Sequence, residues 1–219
     1  MRHTAALVAV LICAAGCASS GRSRSADTVT GVNTIDQELA AADAQLGKTV
    51  DALGSLVETA GPDMNKKYDQ FEADLADLDS KVQSIRDRAL ALNTKRDAYL
   101  QAWLQQTSQI KSEDLKKAAE QRRTQLQGDF MDLNAKGTSL KKAYAPVQAS
   151  LHDCQRFLEA DLNPSGVKAL SGEVDKLKQG RGEVEAAVKE FRASLKSIAD
   201  KLSIPAPAPE KAPGEPAKK

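Results

Sequence analysis

A heptad repeat of apolar residues between Tyr68 and Trp103 constrains the fold of this chain more than any other feature. Successive apolar residues are separated alternately by three and four positions, and only Arg96 interrupts the stripe. The repeat predicts one continuous helix of about 45 residues, roughly 65–70 Å long, with a narrow apolar face. Such a helix needs partners along most of its length. Its apolar positions are Tyr68, Phe71, Leu75, Leu78, Val82, Ile85, Ala89, Leu92, Tyr99 and Trp103.

Caps and helix breakers divide the flanking sequence into three partner helices with similar stripes. Gly61-Pro62 ends the first of them, Ser112 caps the third helix, and Asn163-Pro164 begins the fourth. Short connections between long helices predict antiparallel neighbours, so the fold class is all-α: an antiparallel four-helix bundle or coiled coil. The four predicted helices span about residues 34–60, 63–109, 112–161 and 164–203.

Pairing of the stripes across the predicted turns sets the relative levels of the four helices. In one layer Gly137 is expected to face Phe191, because a missing side chain makes room for a large one. Helix 1 is expected to begin, and helix 4 to end, near the level of Leu92 and Phe130. The central pair would then continue alone as a protruding two-helix hairpin tip, over about residues 96–126.

The N-terminus has the features of an export signal. The apolar run of residues 5–15 follows Arg2 and is too short to span a bilayer. It ends in Ala14-Ala15-Gly16-Cys17, which resembles the lipobox of bacterial lipoproteins. In those proteins the signal peptide is cut before the cysteine, which then carries lipid. The alternative is an ordinary signal peptide followed by an unrelated cysteine.

The lipobox resemblance implies a signal peptide over residues 1–16 and lipidation of Cys17. The absence of Asp after that cysteine implies, by the same resemblance, the periplasmic face of the outer membrane. Residues 17–32 are small and polar and are predicted to be a flexible tether. The Pro/Ala/Lys-rich tail over residues 204–219 is predicted to be disordered.

Three motifs in the helical region resemble those of the bacterial DUF2959 family. They are Trp103 within a long charged helix, the segment Ala143-Tyr144-Ala145-Pro146-Val147, and Leu162-Asn163-Pro164 followed by a short helical return to Leu170. The resemblance covers roughly residues 33–202. It implies a protein of long helices, often a predicted lipoprotein, and it brings no established activity.

Chemically reactive constellations are absent from the sequence. After removal of residues 1–16 the one histidine is His152, which lies on a different helix face from Cys154. There is no HExxH, CxxC or glycine-rich phosphate loop, and the net charge of +1 gives no basic field for nucleic acid. We therefore expect no enzyme activity, no cofactor, no metal and no nucleic-acid partner, and we expect Cys154 to be a small buried apolar side chain.

Two groups of residues are candidate sites. Thr49 and Arg181 are expected at one level of the bundle, where Arg181 would donate to Thr49 or to carbonyls freed at a kink; the alternative is a site for a small polar ligand. At the tip, Tyr99, Trp103, Arg122 and Arg123 combine aromatic and basic side chains. These four are predicted to contact the anchoring membrane or an unknown neighbouring envelope protein.

The sequence leaves three functional hypotheses open. The first is a lipid-anchored, non-enzymatic envelope scaffold, spacer or adaptor. The second is a periplasmic carrier or chaperone that binds apolar ligands within the bundle, which would require an open apolar cleft. The third is a membrane-to-peptidoglycan tie, because Braun-type lipoproteins are joined to peptidoglycan through a C-terminal lysine and this chain ends in Lys219.

Overall fold

The computed structural model describes residues 21–59 and 61–203. This part of the chain is all helical and contains no strand, which confirms the predicted fold class. The helices are α1 (Gly21–Glu58), α2 (Met64–Thr107), α3 (Glu113–Ala160), α4 (Pro164–Ala169) and α5 (Ser171–Leu202).

The predicted caps are present at the starts of α3 and α4. The hydroxyl of Ser112 accepts a hydrogen bond from the backbone N–H of Leu115. The side-chain oxygen of Asn163 accepts from the N–H groups of Ser165 and Gly166 at 2.9 and 3.0 Å, with Pro164 in the first turn. These bonds satisfy amides that a helix start leaves without partners.

Helix α1 packs against α2 and α5, α3 packs against α5, and the contact between α2 and α3 is much narrower. The buried apolar residues form two separate cores. The turn-end core lies beside the α1–α2 and α3–α4 connections and includes Leu53, Phe71 and Leu151. The terminal core lies at the other end, which we call the terminal end because α1 begins and α5 finishes there; it includes Ile35 and Phe130.

The predicted tether is wrong over residues 21–32, because these residues belong to α1, whose described part begins at Gly21 and not near residue 34. Ser25, Thr28 and Val32 continue the spacing of the α1 stripe, and all three are buried. The hydroxyl of Ser25 donates to the carbonyl of Leu202 at 2.7 Å, which joins the start of α1 to the end of α5. The signal peptide, Cys17 and the tail from residue 204 lie outside the described residues.

The protruding two-helix tip is also wrong, because the first described turns of α1 pack on α2 at this level and the last turn of α5 reaches α3. Tyr99 is 8% exposed, and a Cβ on Gly21 would lie 3.7 Å from the side-chain oxygen of Gln106. Arg122 of α3 donates to the carbonyl of Lys201, so α1 and the end of α5 both lie beside α2 and α3 at the terminal end.

The predicted fourth helix is divided at Leu170. The N–H groups of Glu173 and Val174 both donate to the Leu170 carbonyl at 2.9 Å, which starts α5 as a new helix. The break allows Val167 and Leu170 to pack into the same core.

The predicted contact between Gly137 and Phe191 is present nearer the middle of the bundle, where a Cβ added to Gly137 would lie 3.2 Å from the Phe191 ring.

The N-terminal extension of α1 can be tested with a pair of adjacent substitutions. Val32 is 0% exposed, so Val32→Ala should lower the free energy of unfolding by about 2 kcal/mol through lost burial and a residual cavity. The control is Asn33→Ala, since Asn33 is exposed. Chemical denaturation of the full-length chain measures both. Equal stability of the two variants would contradict the packed extension.

Candidate functional site

An apolar cavity of about 250 Å³ lies between the two cores and is lined by α1, α2, α3 and α5. Its walls on α1 and α5 are buried side chains such as Leu39, Leu46 and Val188. On α2 and α3, in contrast, lining residues such as Ile85 and Leu140 are only partly buried. The cavity therefore reaches the surface where α2 and α3 diverge. It is larger than the engineered cavity of about 150 Å³ that binds benzene.

Tyr144 is the polar group set deepest in the α3 wall of the cavity. Its hydroxyl is buried and has no hydrogen-bond partner among the described residues. Burial raises the pKa of Tyr144, nearby Asp79 raises it further, and Arg86 acts in the opposite direction. A neutral hydroxyl that has lost water without gaining a partner is costly in a folded protein.

Charged residues surround the cavity unequally. Arg86 of α2 and Lys141 of α3 are exposed and line it on the side where those helices diverge. Neither takes part in an ion pair within the described part of the chain. Asp43 lines it from α1, where burial and then Glu185 raise the pKa of the carboxyl. The charged residues that line the cavity are therefore cations on α2 and α3 and an anion on α1, while Asp79 of α2 lies beside the cavity and is engaged by His152 and Gln148.

Thr49 and Arg181 do not form the predicted internal polar site. Thr49 is fully buried and faces α2, donating to the carbonyls of Gln45 at 2.9 Å and Asp74 at 3.1 Å. Arg181 instead crosses the backbone at Gly47 and pairs at the surface with Asp51, with 3.5 Å between Nη1 and Oδ1. The expected donation from Arg181 to Thr49 is wrong.

Pro146 explains why no kink site forms at this level. It lies on the exposed face of α3, as does Lys142, whose carbonyl it leaves without an intrahelical donor. Water can satisfy that carbonyl, so no internal donor is needed there. On the buried side of the same helix Val147 packs against Gly180, where an added Cβ would lie 2.8 Å from a Val147 methyl.

Two glycines at this level should respond differently to alanine. Gly47→Ala brings a Cβ within 2.7 Å of the Arg181 guanidinium, which can swing away, so improved helix propensity should leave stability unchanged or about 1 kcal/mol higher. In Gly180→Ala the added Cβ clashes with Val147, which is buried and, being β-branched, cannot easily change rotamer. The gain in helix propensity is the same, but overpacking should outweigh it and lower the free energy of unfolding by about 1 kcal/mol overall. Thermal and denaturant unfolding would show this order. The reverse order would contradict the described packing.

His152 contacts a neighbouring helix, and Cys154 lies in the buried turn-end core. The Nε2 atom of His152 lies 3.1 Å from Oδ2 of Asp79, and Gln148 donates to the same carboxylate at 2.9 Å, so α3 is linked to α2 beside the cavity. Cys154 is 2% exposed, and burial raises the pKa of its thiol to about 11, as expected for a buried apolar side chain. No group of three potential metal ligands occurs within the described ranges.

The four predicted tip residues lie at the terminal end but do not form one exposed patch. Tyr99 is buried, and its ring meets the partly buried Trp103 edge to face at 5.6 Å between centroids. Arg122 is exposed and donates to the carbonyl of Lys201 at 3.3 Å, so its guanidinium is engaged with α5. Arg123 lies on the next face of α3 and donates to Gln127 at 3.4 Å.

The terminal end has two features that sequence reasoning missed. Residues 21–27 of α1 bring further charge to it, so residues 21–27 and 95–125 together hold nine basic and five acidic residues, a net charge of +4. Leu104 and Leu115 are 46% and 64% exposed on either side of the α2–α3 connection. Both features follow from the true start of α1 and from the position of the turn.

None of the described helices is long and apolar enough to cross a membrane. The family model of DUF2959, a protein family of unknown function, matches residues 17–202. No curated protein and no solved structure matches the chain.

Proposed function

The chain belongs to the DUF2959 family of proteins of unknown function, and we propose that it is a lipid-anchored, non-enzymatic scaffold, spacer or adaptor of the bacterial cell envelope. The lipobox-like segment ending at Cys17 supplies the anchor. The proposed location is the periplasmic face of the outer membrane. Long helices stabilised by apolar seams, without a reactive constellation in the described ranges, suit a structural role.

The observation that carries this proposal is the short distance between Cys17 and the bundle. Gly21 is already helical, and four residues span at most about 14 Å even when fully extended. A lipid on Cys17 would therefore hold the terminal end close to the bilayer. The 44 residues of α2 extend about 66 Å, so an upright bundle would carry its opposite end that far from the membrane.

The composition of the terminal end supports contact with the anchoring membrane. Its net charge of +4 complements anionic headgroups, and the exposed Leu104 and Leu115 can enter the interface between headgroups and acyl chains. Trp103 lies in the same region, half-buried, as is common for indoles at membrane surfaces. A neighbouring envelope protein is the alternative partner for this surface.

Lipidation is tested by metabolic labelling with palmitate. The wild-type chain should incorporate label and partition with membranes, whereas Cys17→Ala should do neither, because the acylated residue is lost. Cys154→Ala is the matched control and should label like the wild type, since that thiol is buried. Recovery of soluble, unlabelled wild-type protein would exclude the anchor.

Membrane contact is tested with the chain from residue 17 onward carrying Cys17→Ala and with anionic liposomes at low salt. Trp103 is the chain's single tryptophan, so a fluorescence blue shift reports the terminal end. Arg122→Glu with Arg123→Glu should weaken binding at least roughly 30-fold, at about 1 kcal/mol per basic residue near the surface.

The matched control for this charge reversal is Lys66→Glu with Lys168→Glu, which makes the same change in charge at exposed positions of the opposite end. The control pair should bind liposomes like the parent chain. Absence of a blue shift in the parent, or equal weakening by both pairs, would contradict docking through the terminal end.

The carrier hypothesis gains a specific observation in the central cavity. The open apolar cleft that this hypothesis requires is present as a space of about 250 Å³ that opens between α2 and α3. Apolar concavities with few polar groups are typical of small-molecule sites. Binding of an apolar ligand is compatible with anchoring, because the cavity and the terminal end occupy different levels of the bundle.

A further inference from the structure

The central cavity combines three features that together define a class of ligand. It is apolar along its length, its open side carries Arg86 and Lys141, and the Tyr144 hydroxyl in its wall is buried without a partner. We propose that the cavity binds a single-chain amphiphile with an anionic head group, such as a fatty acid or a lysophospholipid. This inference rests on the carrier function proposed above.

The apolar tail is placed by the shape and lining of the cavity. The space lies between the turn-end and terminal cores, where side chains from four helices fail to meet. An alkyl chain there would contact Leu39 and Leu46 on one side and Ile85 and Leu140 on the other. Each additional buried methylene should raise affinity about fourfold, so a single chain can bind without a large polar contribution.

The head group is placed by charge. Asp43 lines the cavity from α1 and would repel an anion there, whereas Arg86 and Lys141 attract it to the opposite side. A carboxylate or phosphate at the α2–α3 opening would lie between these two cations and stay partly hydrated. Tyr144 lines the same cavity, and a shift of its ring that brings the buried hydroxyl to the head group would give that hydroxyl the hydrogen bond that it lacks.

The test uses the chain from residue 17 onward with Cys17→Ala, without detergent, titrated calorimetrically with laurate below its micellar concentration. Laurate should bind saturably with one molecule per chain, and affinity should rise from octanoate to laurate as the tail fills the cavity. Lauroyl lysophosphatidylglycerol is compared in parallel: tighter binding of that lipid identifies a phospholipid source, and tighter binding of laurate a free fatty acid.

Substitutions separate the tail site from the head-group site. Ala89→Leu fills the cavity from α2 and should weaken laurate binding at least tenfold, whereas Ala91→Leu, at an exposed position of the same helix, should not. Arg86→Gln or Lys141→Gln should each weaken laurate binding about tenfold and leave dodecanol binding unchanged. Their matched controls, Lys95→Gln and Lys142→Gln, should have no effect.

Tyr144→Phe gives a readout that a purely structural role would not produce. Without ligand its melting temperature should equal or exceed that of the parent, because an unsatisfied buried hydroxyl is removed. With saturating laurate the parent should be the more stable, and the variant should bind laurate about fivefold more weakly.

Four outcomes would overturn the proposal. Absence of saturable laurate binding, or undiminished binding by Ala89→Leu, would exclude the cavity as the site. Equal binding of laurate and dodecyltrimethylammonium would exclude the anionic head group. Equal binding of laurate and dodecanol, unaffected by Arg86→Gln or Lys141→Gln, would also reject the head-group assignment while leaving the carrier function in place.

Discussion

The structure depends on keeping four narrow apolar stripes covered along helices of up to 48 residues. A stripe of this kind cannot be left unpaired over several turns, because each large apolar side chain gains roughly 1.5–3 kcal/mol when it is buried. The same constraint accounts for the N-terminal turns of α1, whose Val32 and Ile35 share one core with Leu92 and Tyr99 of α2 and with the last turns of α5.

The stripes and the breakers predicted the order and antiparallel packing of the long helices, because Gly61-Pro62, Ser112 and Asn163 act locally, but they did not predict the break at Leu170 that makes α4 a separate short helix. The start of α1 could not be recognised by composition, since Ser25 and Thr28 are small polar residues of a kind common in tethers. Their signal is positional: with Val32 they continue the three-and-four spacing of the α1 stripe. Continuing the three-and-four spacing upstream of Val32, whether or not the residues are apolar, predicts that Thr28 and Ser25 lie on the buried face of α1.

The candidate sites were less predictable because they depend on where helices separate. A heptad pattern assigns Ile85 and Leu140 to the interior but does not fix the distance between α2 and α3, so the same residues could fill a layer or line a cavity. Arg181 was assigned to the interior by its place in the stripe, yet Gly47 lets its long side chain cross to Asp51 and water. Arg86 and Lys141 lie on different helices, so the sequence does not show that both line one cavity.

The hydrogen bond from Ser25 to the Leu202 carbonyl has a mechanical consequence. The first described turn of α1 and the last turn of α5 lie side by side, so tension applied between the two chain ends would pull these helices apart laterally. The contacts between α1 and α5 would then break one after another, starting from that end, so that each contact carries the whole force in turn. If the two chain ends lay at opposite ends of the bundle, the same force would be shared among all of these contacts at once. The bundle therefore offers little resistance to forces that separate α1 from α5 at this end.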